Sequence, residues 1–339
     1  MAEITFSPAR LKKIVQRMQE LRILVIGDLM LDEFVWGKVT RISPEAPVPV
    51  VHVTQETAMP GGAANVARNL ADFGIKVGVC GVLGKDAAGE NLARLLRKAR
   101  MDTKGLFIEN RFSTIVKTRI IARHQQVVRV DREAPLKFRE SEIEQIRSFL
   151  KKEIEGYDAV IVEDYGKGFL TQEIYDEVAE LAKPKNLIIA VDPNPNNPLN
   201  FTGATVVKPN RLEACAACGI ADVEENDKLD AVGRDLLERW QLPYLLITLG
   251  EHGMMLYQRF LPPHHTPTRA REVFDVSGAG DTAISFFTAA LAAGLNGNEA
   301  AEIANHAAGV VVSKLGTATL QPEELIEAIA NDEKTSGIS

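Results

Sequence analysis

The sequence predicts an α/β fold: a doubly wound, mostly parallel sheet between two layers of helices. Three observations carry this. From Tyr157 onward, short apolar runs alternate with segments of helical period, the pattern of repeated strand–helix units. The apolar runs end in polar residues, as Arg22–Gly27 ends at Asp28, and a parallel sheet gathers such residues at one edge. Finally, a glycine-rich turn, Asp275-Val-Ser-Gly278-Ala279-Gly280-Asp281, opens a long helix of small and apolar residues.

Composition narrows the class. With 339 residues the chain can bury a sizeable core, and 45% apolar with 25% charged residues is ordinary for a globular protein. A net charge of −7 argues against general binding to nucleic acid or anionic membranes. The most apolar helix, Ala283–Leu295, is too short to span a bilayer and contains Ser285 and Thr288. The N-terminus lacks the basic, apolar and cleavage-site order of a leader, so a mature cytoplasmic protein is expected. Three cysteines make no disulfide framework. Cys215 and Cys218 have redox or metal spacing without a second pair, and Cys80 sits in an apolar run, so all three are expected as small buried residues. His264 and His265, in a proline-bracketed loop, read as solvated.

Taken in order, Ser7-Pro8 caps and begins an amphipathic helix to about Glu20. Arg22–Gly27 is a buried strand. Residues 33–53 hold two short strand-like runs around the proline-rich Arg41–Pro49, and Phe112–Ile121 with Gln126–Asp131 form another pair turning at Arg123. Neither pair alternates with helices, so both fit poorly in a doubly wound sheet. Pro60-Gly61-Gly62 opens a helix over Ala63–Phe73, and Lys76–Val82 is the next strand. Gly84-Lys85 suggests a phosphate loop, but that loop needs glycine at 79 and Ser or Thr at 86, where Val79 and Asp86 stand. Strands follow at Tyr157–Glu163, Leu187–Asp192, Ala204–Lys208 and Tyr244–Leu249, with helices around Ser141–Ile154, Thr171–Ala182 and Asp227–Trp240. One domain over residues 1–331 is expected, with a polar tail, 332–339, that frays.

The chemistry concentrates at the glycine turn and the strand ends. Gly278 and Gly280 allow close backbone approach, and the first-turn N–H groups form an anion site beside Asp281. A carboxylate there can take a proton from a hydroxyl while the N–H groups hold a phosphoryl group. The strand ends contribute Asp28, the run Glu163-Asp164-Tyr165-Gly166-Lys167, Asp192-Pro-Asn194, Lys208-Pro-Asn210 and Thr248-Leu-Gly250. Asp28 and Asp32 can accept hydrogen bonds from ligand hydroxyls, while Gly61 and Gly62 let a ligand come close to the backbone beside Asn65. Asn210 and Glu213 have the spacing of a capping box, which can coexist with a ligand role.

Two stretches, Asp275–Thr282 and Gly61-Gly62-Ala-Ala-Asn65, resemble the paired signatures of the ribokinase-like (PfkB) family of sugar kinases. The resemblance covers nearly the whole chain. It implies a ribokinase-like fold with a small β-lid built from residues 33–53 and 112–131, Asp281 as base, and a homodimer through the lid. It implies ATP as donor. Asn194, Lys208, Asn210, Thr248, Gly250, Gly253, Asn305 and Gly309 would meet the nucleotide, and Glu213 would serve Mg2+. Asp275 and Ser277, with carbonyls near Gly316, match positions around a monovalent cation such as K+. The stretch Gly37–Val50 resembles the members of this family that phosphorylate D-glycero-β-D-manno-heptose 7-phosphate at C1 for lipopolysaccharide core synthesis. Cations for the sugar's own phosphate are available at Arg41, Lys117, Arg119, Arg123 and Lys167, with Glu163 also facing the acceptor.

Other readings are another ribokinase-like kinase, acting on a hexose phosphate or nucleoside, and a catalytically silent sugar-binding regulator. The intact Gly278, Gly280, Asp281 and Asn210-x-x-Glu213 disfavour the regulator. A dehydrogenase is disfavoured because Gly27-Asp-Leu-Met30 lacks the Gly-x-Gly-x-x-Gly turn. Some relatives fuse such a kinase to a nucleotidyltransferase; adenylylation is here expected of a separate protein.

Overall fold

The computed structural model describes residues 4–335 apart from 124, 135, 224–225, 271–273 and 315. Ser7 accepts the Arg10 N–H to open α1 (Pro8–Glu20), whose Leu11, Ile14, Val15 and Met18 form the buried stripe that their spacing requires. β1 (Arg22–Gly27) follows, and the chain then leaves for a long hairpin, β2 (Leu29–Ile42) and β3 (Pro49–Gly62). It returns through α2 (Ala63–Asp72), β4 (Lys76–Gly84), α3 (Ala87–Lys98) and β5 (Asp102–Glu109). A second hairpin, β6 (Ile115–Ala122) and β7 (Gln125–Arg132), comes next. Alternation then resumes with α4 (Glu140–Glu153), β8 (Ala159–Glu163), α5 (Gln172–Ala182), β9 (Ile188–Asp192) and β10 (Val206–Val207). After these come α6 (Arg211–Ala217), α7 (Asn226–Arg239), β11 (Tyr244–Thr248), β12 (Met254–Gln258) and β13 (His264–Thr266). The chain closes with α8 (Ala279–Ala292), α9 (Gly297–Val312) and α10 (Pro322–Thr335).

Among the described residues, nine strands form one sheet in the order β13-β12-β11-β10-β9-β8-β1-β4-β5. From β11 to β5 every pairing is parallel, and only β12, antiparallel to both β11 and β13, runs against the rest. Along β1, Ile23 and Val25 face one core while Leu24 and Ile26 face the other, the period-two alternation of a sheet buried on both sides. α1, α2, α3, α8, α9 and α10 cover the first face; α4, α5, α6 and α7 cover the second. The strand order reverses at β1, where a parallel sheet opens a crevice at the carboxyl ends of its strands.

The two hairpins combine into a separate sheet, β3-β2-β6-β7. Its β2 and β3 each run for 14 residues, longer than the short runs read in the sequence, and they reach back to Gly62 at the site. Its register divides the faces. Asp32, Phe34, Lys117 and Arg119 share one, and Val35, Ile120, Val128 and Val130 share the other.

Four expectations change. Cys218 is only partly buried, at the end of the short α6, where its thiol donates to Asp235 Oδ2 at 3.3 Å. β10 keeps only Val206–Val207 as strand, because the chain turns at Lys208-Pro209 into the α6 cap. His264 is buried rather than solvated, since pairing of β13 with β12 turns alternate residues inward. The last helix runs past Asn331 to Thr335, and residues 336–339 of the expected tail lie outside the described residues.

The α8 helix is seated on α2 by Phe286, fully buried and edge-on to Phe73 with ring centroids 4.8 Å apart. Phe286→Ala should cost about 3–5 kcal/mol in urea unfolding. A loss under about 1 kcal/mol would show that this contact does not anchor the helix.

Candidate active site

The glycine turn behaves as its composition demands. Gly278 takes φ +83°, a left-handed conformation that disfavours side chains, and caps α8 without any side-chain hydrogen bond. That leaves the amino end of α8 available to an anion. Asp281 lies in its first turn, and both carboxylate oxygens are held. Asn65 Nδ2 donates to Oδ2 at 2.6 Å, and the Tyr165 hydroxyl donates to Oδ1 at 3.0 Å. Asn65 is in place because α2 and α8 are pinned together one turn further on, where Thr282 Oγ1 donates to Asn69 Oδ1 at 2.9 Å.

Three carboxylates meet there. Glu163 at the end of β8, Asp192 at the end of β9 and Asp281 have oxygens within 4.8 Å of one another. Glu163 is wholly buried, and neither of its oxygens has a hydrogen-bond partner. Burial first, then Asp192 and Asp281, hold its carboxyl well above the usual range. Lys208 Nζ pairs with Asp192 at 2.9 Å. Burial works against that ammonium, but Asp192 and Glu163 outweigh it and raise its pKa. The same Nζ would lie 3.4 Å from a Cβ placed on Gly280, so the cation abuts the glycine turn. Burial lifts Asp281 to about 6; Asp192 adds to the rise, while Asn65, Tyr165 and Lys208 oppose it. For Asp192 and Tyr165, position at the end of an apolar run is the only sequence signal.

On the acceptor side, Asp28 is buried and turned into the structure. Its Oδ2 accepts the N–H groups of Tyr165 and Lys167, each at 3.0 Å, and its Oδ1 accepts that of Phe169 at 3.1 Å. Asp32 pairs with Arg119, whose guanidinium also lies over the Phe34 ring at 5.4 Å. The two glycines make room for these acids. A Cβ on Gly61 would meet Asp32 Oδ2 at 2.2 Å, and one on Gly62 would meet the Asp28 carbonyl at 2.6 Å. Lys167 pairs with Glu133 at 2.8 Å, and Lys117 Nζ sits 5.9 Å above the Tyr165 ring. Arg41 and Arg123 are exposed toward the far ends of the small sheet.

Thr248, Gly250, Gly253, Asn305 and Gly309 line one cleft of about 470 Å³ together with Gly280. Gly309 admits the chain at Arg269-Ala270, and Asn305 Nδ2 holds that segment by donating to the Pro267 carbonyl at 2.6 Å. Asn194 and Glu213 instead line a neighbouring pocket of about 350 Å³. The Asn210–Glu213 capping box is formed: Asn210 Oδ1 accepts the Glu213 N–H, and Glu213 Oε2 accepts the Asn210 N–H. Burial, with Asp192 second, raises the Glu213 pKa. Asp275 ties two loops, accepting the N–H groups of Ser277 at 2.9 Å and Gly316 at 3.2 Å.

A parallel sheet with polar strand ends, an open helix amino end and a clamped carboxylate define a group-transfer site for an anionic donor and a hydroxyl acceptor. The model of the pfkB family of carbohydrate kinases matches residues 20–324, and the chain belongs to that family: it is a sugar kinase. It is 42% identical over 320 residues to the bifunctional protein HldE of Pelobacter propionicus, covering 94% of this chain and 65% of that protein. With the protein of the same name in Citrifermentans bemidjiense the identity is 43% over 321 residues, covering 95% and 66%. The chain thus spans 65–66% of the length of these curated relatives. The fold is ribokinase-like. It matches Arabidopsis thaliana ribokinase, complexed with ribose and ATP, at a TM-score of 0.70 and 17% identity over 91% of this chain and 99% of that one. Phosphofructokinase-2 from Escherichia coli in complex with potassium matches at 0.72 and 17%, over 92% and 98%. Family membership implies ATP as the phosphoryl donor. No helix among the described residues is long and apolar enough to cross a membrane.

If Asp281 serves as the base, it accepts a proton only as a carboxylate, and burial raises it to about 6. Activity should therefore be full above that pH and fall as pH drops through it, as a kcat/KM profile will report. An acid limb near the ordinary aspartate value of about 4 would contradict the assignment.

Proposed function

We propose that this kinase transfers the γ-phosphoryl group of ATP to the C1 hydroxyl of D-glycero-β-D-manno-heptose 7-phosphate. The product is heptose 1,7-bisphosphate, made in the cytoplasm on the way to ADP-heptose for lipopolysaccharide core. The carrying observation for the chemistry is the clamped Asp281 beside the amino end of α8. For the substrate, support comes from the resemblance of Gly37–Val50 and from the cations on the inner face of the small sheet, Lys117 and Arg119.

In this reading Asp281 takes the proton of the C1 hydroxyl as that oxygen bonds to the γ-phosphorus, and the bond from the γ-phosphorus to the β–γ bridging oxygen breaks to release ADP. Lys208 and the first-turn N–H groups of α8 stabilise the charge on the transferring group. The cleft at Thr248, Gly250, Gly253, Asn305 and Gly309 takes the nucleotide base, apolar side chains of Met254, Ala283 and Val312 giving it a fitting wall. Asp32, Asn65, Gly61 and Gly62 orient the sugar, with Lys117, Arg119 and Lys167 toward its phosphate; Asp28, its oxygens taken by three N–H groups, holds the loop beside them, and Arg41 lies at the far end of the small sheet.

The resemblance gives magnesium to Glu213, and the oxygens of Glu163, Asp192 and Asp281 converge within 4.8 Å of one another; magnesium held beside them would neutralise charge on the donor phosphates. Asp275 and Ser277, beside Gly316, are the place for a monovalent cation. The sheet acts as a lid, excluding water from the transfer. Its outer face leaves Val128 and Val130 at 45% and 44% exposure, which suits a homodimer through the lid.

Asp281→Asn should lower kcat by about two to four orders of magnitude while leaving binding largely intact. Near-normal turnover in the folded variant would remove the base. For the substrate, kcat/KM for heptose 7-phosphate should greatly exceed that for unphosphorylated heptose, with fructose 6-phosphate and ribose as controls. Equal efficiency with and without the 7-phosphate, or a new phosphate found by NMR anywhere but C1, would overturn the substrate assignment.

A further inference from the structure

Tyr165 touches three parts of the site at once. Its hydroxyl donates to Asp281 Oδ1 at 3.0 Å, and its backbone N–H donates to Asp28 Oδ2 at 3.0 Å. Lys117, from the central β6 of the small sheet, places Nζ 5.9 Å above its ring. The loop that carries it is fixed from several sides. Asp28 binds the N–H groups of residues 165, 167 and 169, and Asp164 accepts from the Gly166 N–H and from Asn197 Nδ2, each at 2.8 Å. Burial keeps the phenol well above its usual pKa, so the hydroxyl remains a donor.

A carboxylate held at one oxygen by Asn65 alone can rotate about its own axis; the second donor removes that freedom. Each oxygen retains a lone pair for an acceptor hydroxyl. Lys117, meanwhile, has no ion pair among the described residues, whereas Arg119 is taken by Asp32 and Lys167 by Glu133. The aromatic face is its seat.

We propose that Tyr165 is a positioning residue that joins the lid to the base: its hydroxyl orients the Asp281 carboxylate, and its ring seats the lid's Lys117 toward the acceptor. This rests on Asp281 being the base. It assigns the two functions to two separable parts of one side chain.

The test uses the full chain and whichever sugar phosphate the wild type turns over best, with Asp281→Asn measured in parallel. Tyr165→Phe keeps the ring and removes the donor. It should lower kcat by roughly tenfold to a hundredfold with KM for ATP and sugar nearly unchanged. Tyr165→Leu should in addition raise KM for the sugar. Lys117→Met should raise sugar KM in the wild-type and Tyr165→Phe backgrounds and add nothing in Tyr165→Leu. A merely structural role would lower Tm without that split. If Asp281→Asn is inactive yet Tyr165→Phe stays within about twofold of wild type, the positioning role fails while the base stands. An equal effect of Lys117→Met in all three backgrounds would remove the seat. Should Tyr165→Leu not fold, Tyr165→Ile takes its place, and the Tyr165→Phe result decides the hydroxyl alone. A fully active Asp281→Asn would sink the base and this inference together.

Discussion

The site depends on one buried carboxylate. Asp28 stands at the end of β1, where the sheet order reverses, and its two oxygens take three backbone N–H groups from the loop after β8. A carboxylate is the group that can satisfy several inward N–H groups at once, and charge-assisted bonds of this kind are about twice as strong as neutral ones. Its own N–H donates to the Glu163 carbonyl at 3.3 Å, and its carbonyl accepts the N–H of Ala63 at 3.1 Å. One residue therefore ties β1, the β8 loop and the start of α2. Remove the charge, and the loop that carries the Tyr165 phenol loses its anchor, while the start of α2, held by the Asp28 carbonyl, keeps its own.

Electrostatics at the sheet edge follow from that convergence. Parallel strands point the same way, so their acidic ends collect whether or not the charges agree. Glu163, Asp192 and Asp281 share a pocket whose buried ammonium is Lys208, paired to one of them. Like charges in low dielectric raise each other's pKa, and a proton or a cation relieves the strain. Burial, with Asp192 adding to it, lifts Asp281 toward neutral pH, and the excess of buried acid makes the pocket receptive to positive charge.

The small sheet adds a division of labour between faces. In β2 and β6, paired residues Asp32 with Lys117 and Phe34 with Arg119 turn one way, and Val35 with Ile120 turn the other. A single-layer sheet cannot bury both faces against its own domain. One face brings Asp32 and Arg119 to the site; on the other, Leu31 and Val116 are buried near the main sheet while Val128 and Val130 farther out stay exposed.

Much of this was legible in the residues. Alternating apolar runs wrote the parallel sheet, Ser7-Pro8 wrote the first helix, and non-alternating strands near residues 33–53 and 112–131 wrote a second sheet. Gly278, Gly280 and Asp281 announced the turn that opens α8 because glycine and a first-turn acid have local meanings. Nothing local marked the Tyr165 hydroxyl for Asp281, Lys208 for Asp192, or Asp28 for a loop more than a hundred residues away. Those partners come from separate strand–helix units. A motif states what its own backbone can do, but the distance between two strand ends is set by register and sheet order, and only the folded chain decides that.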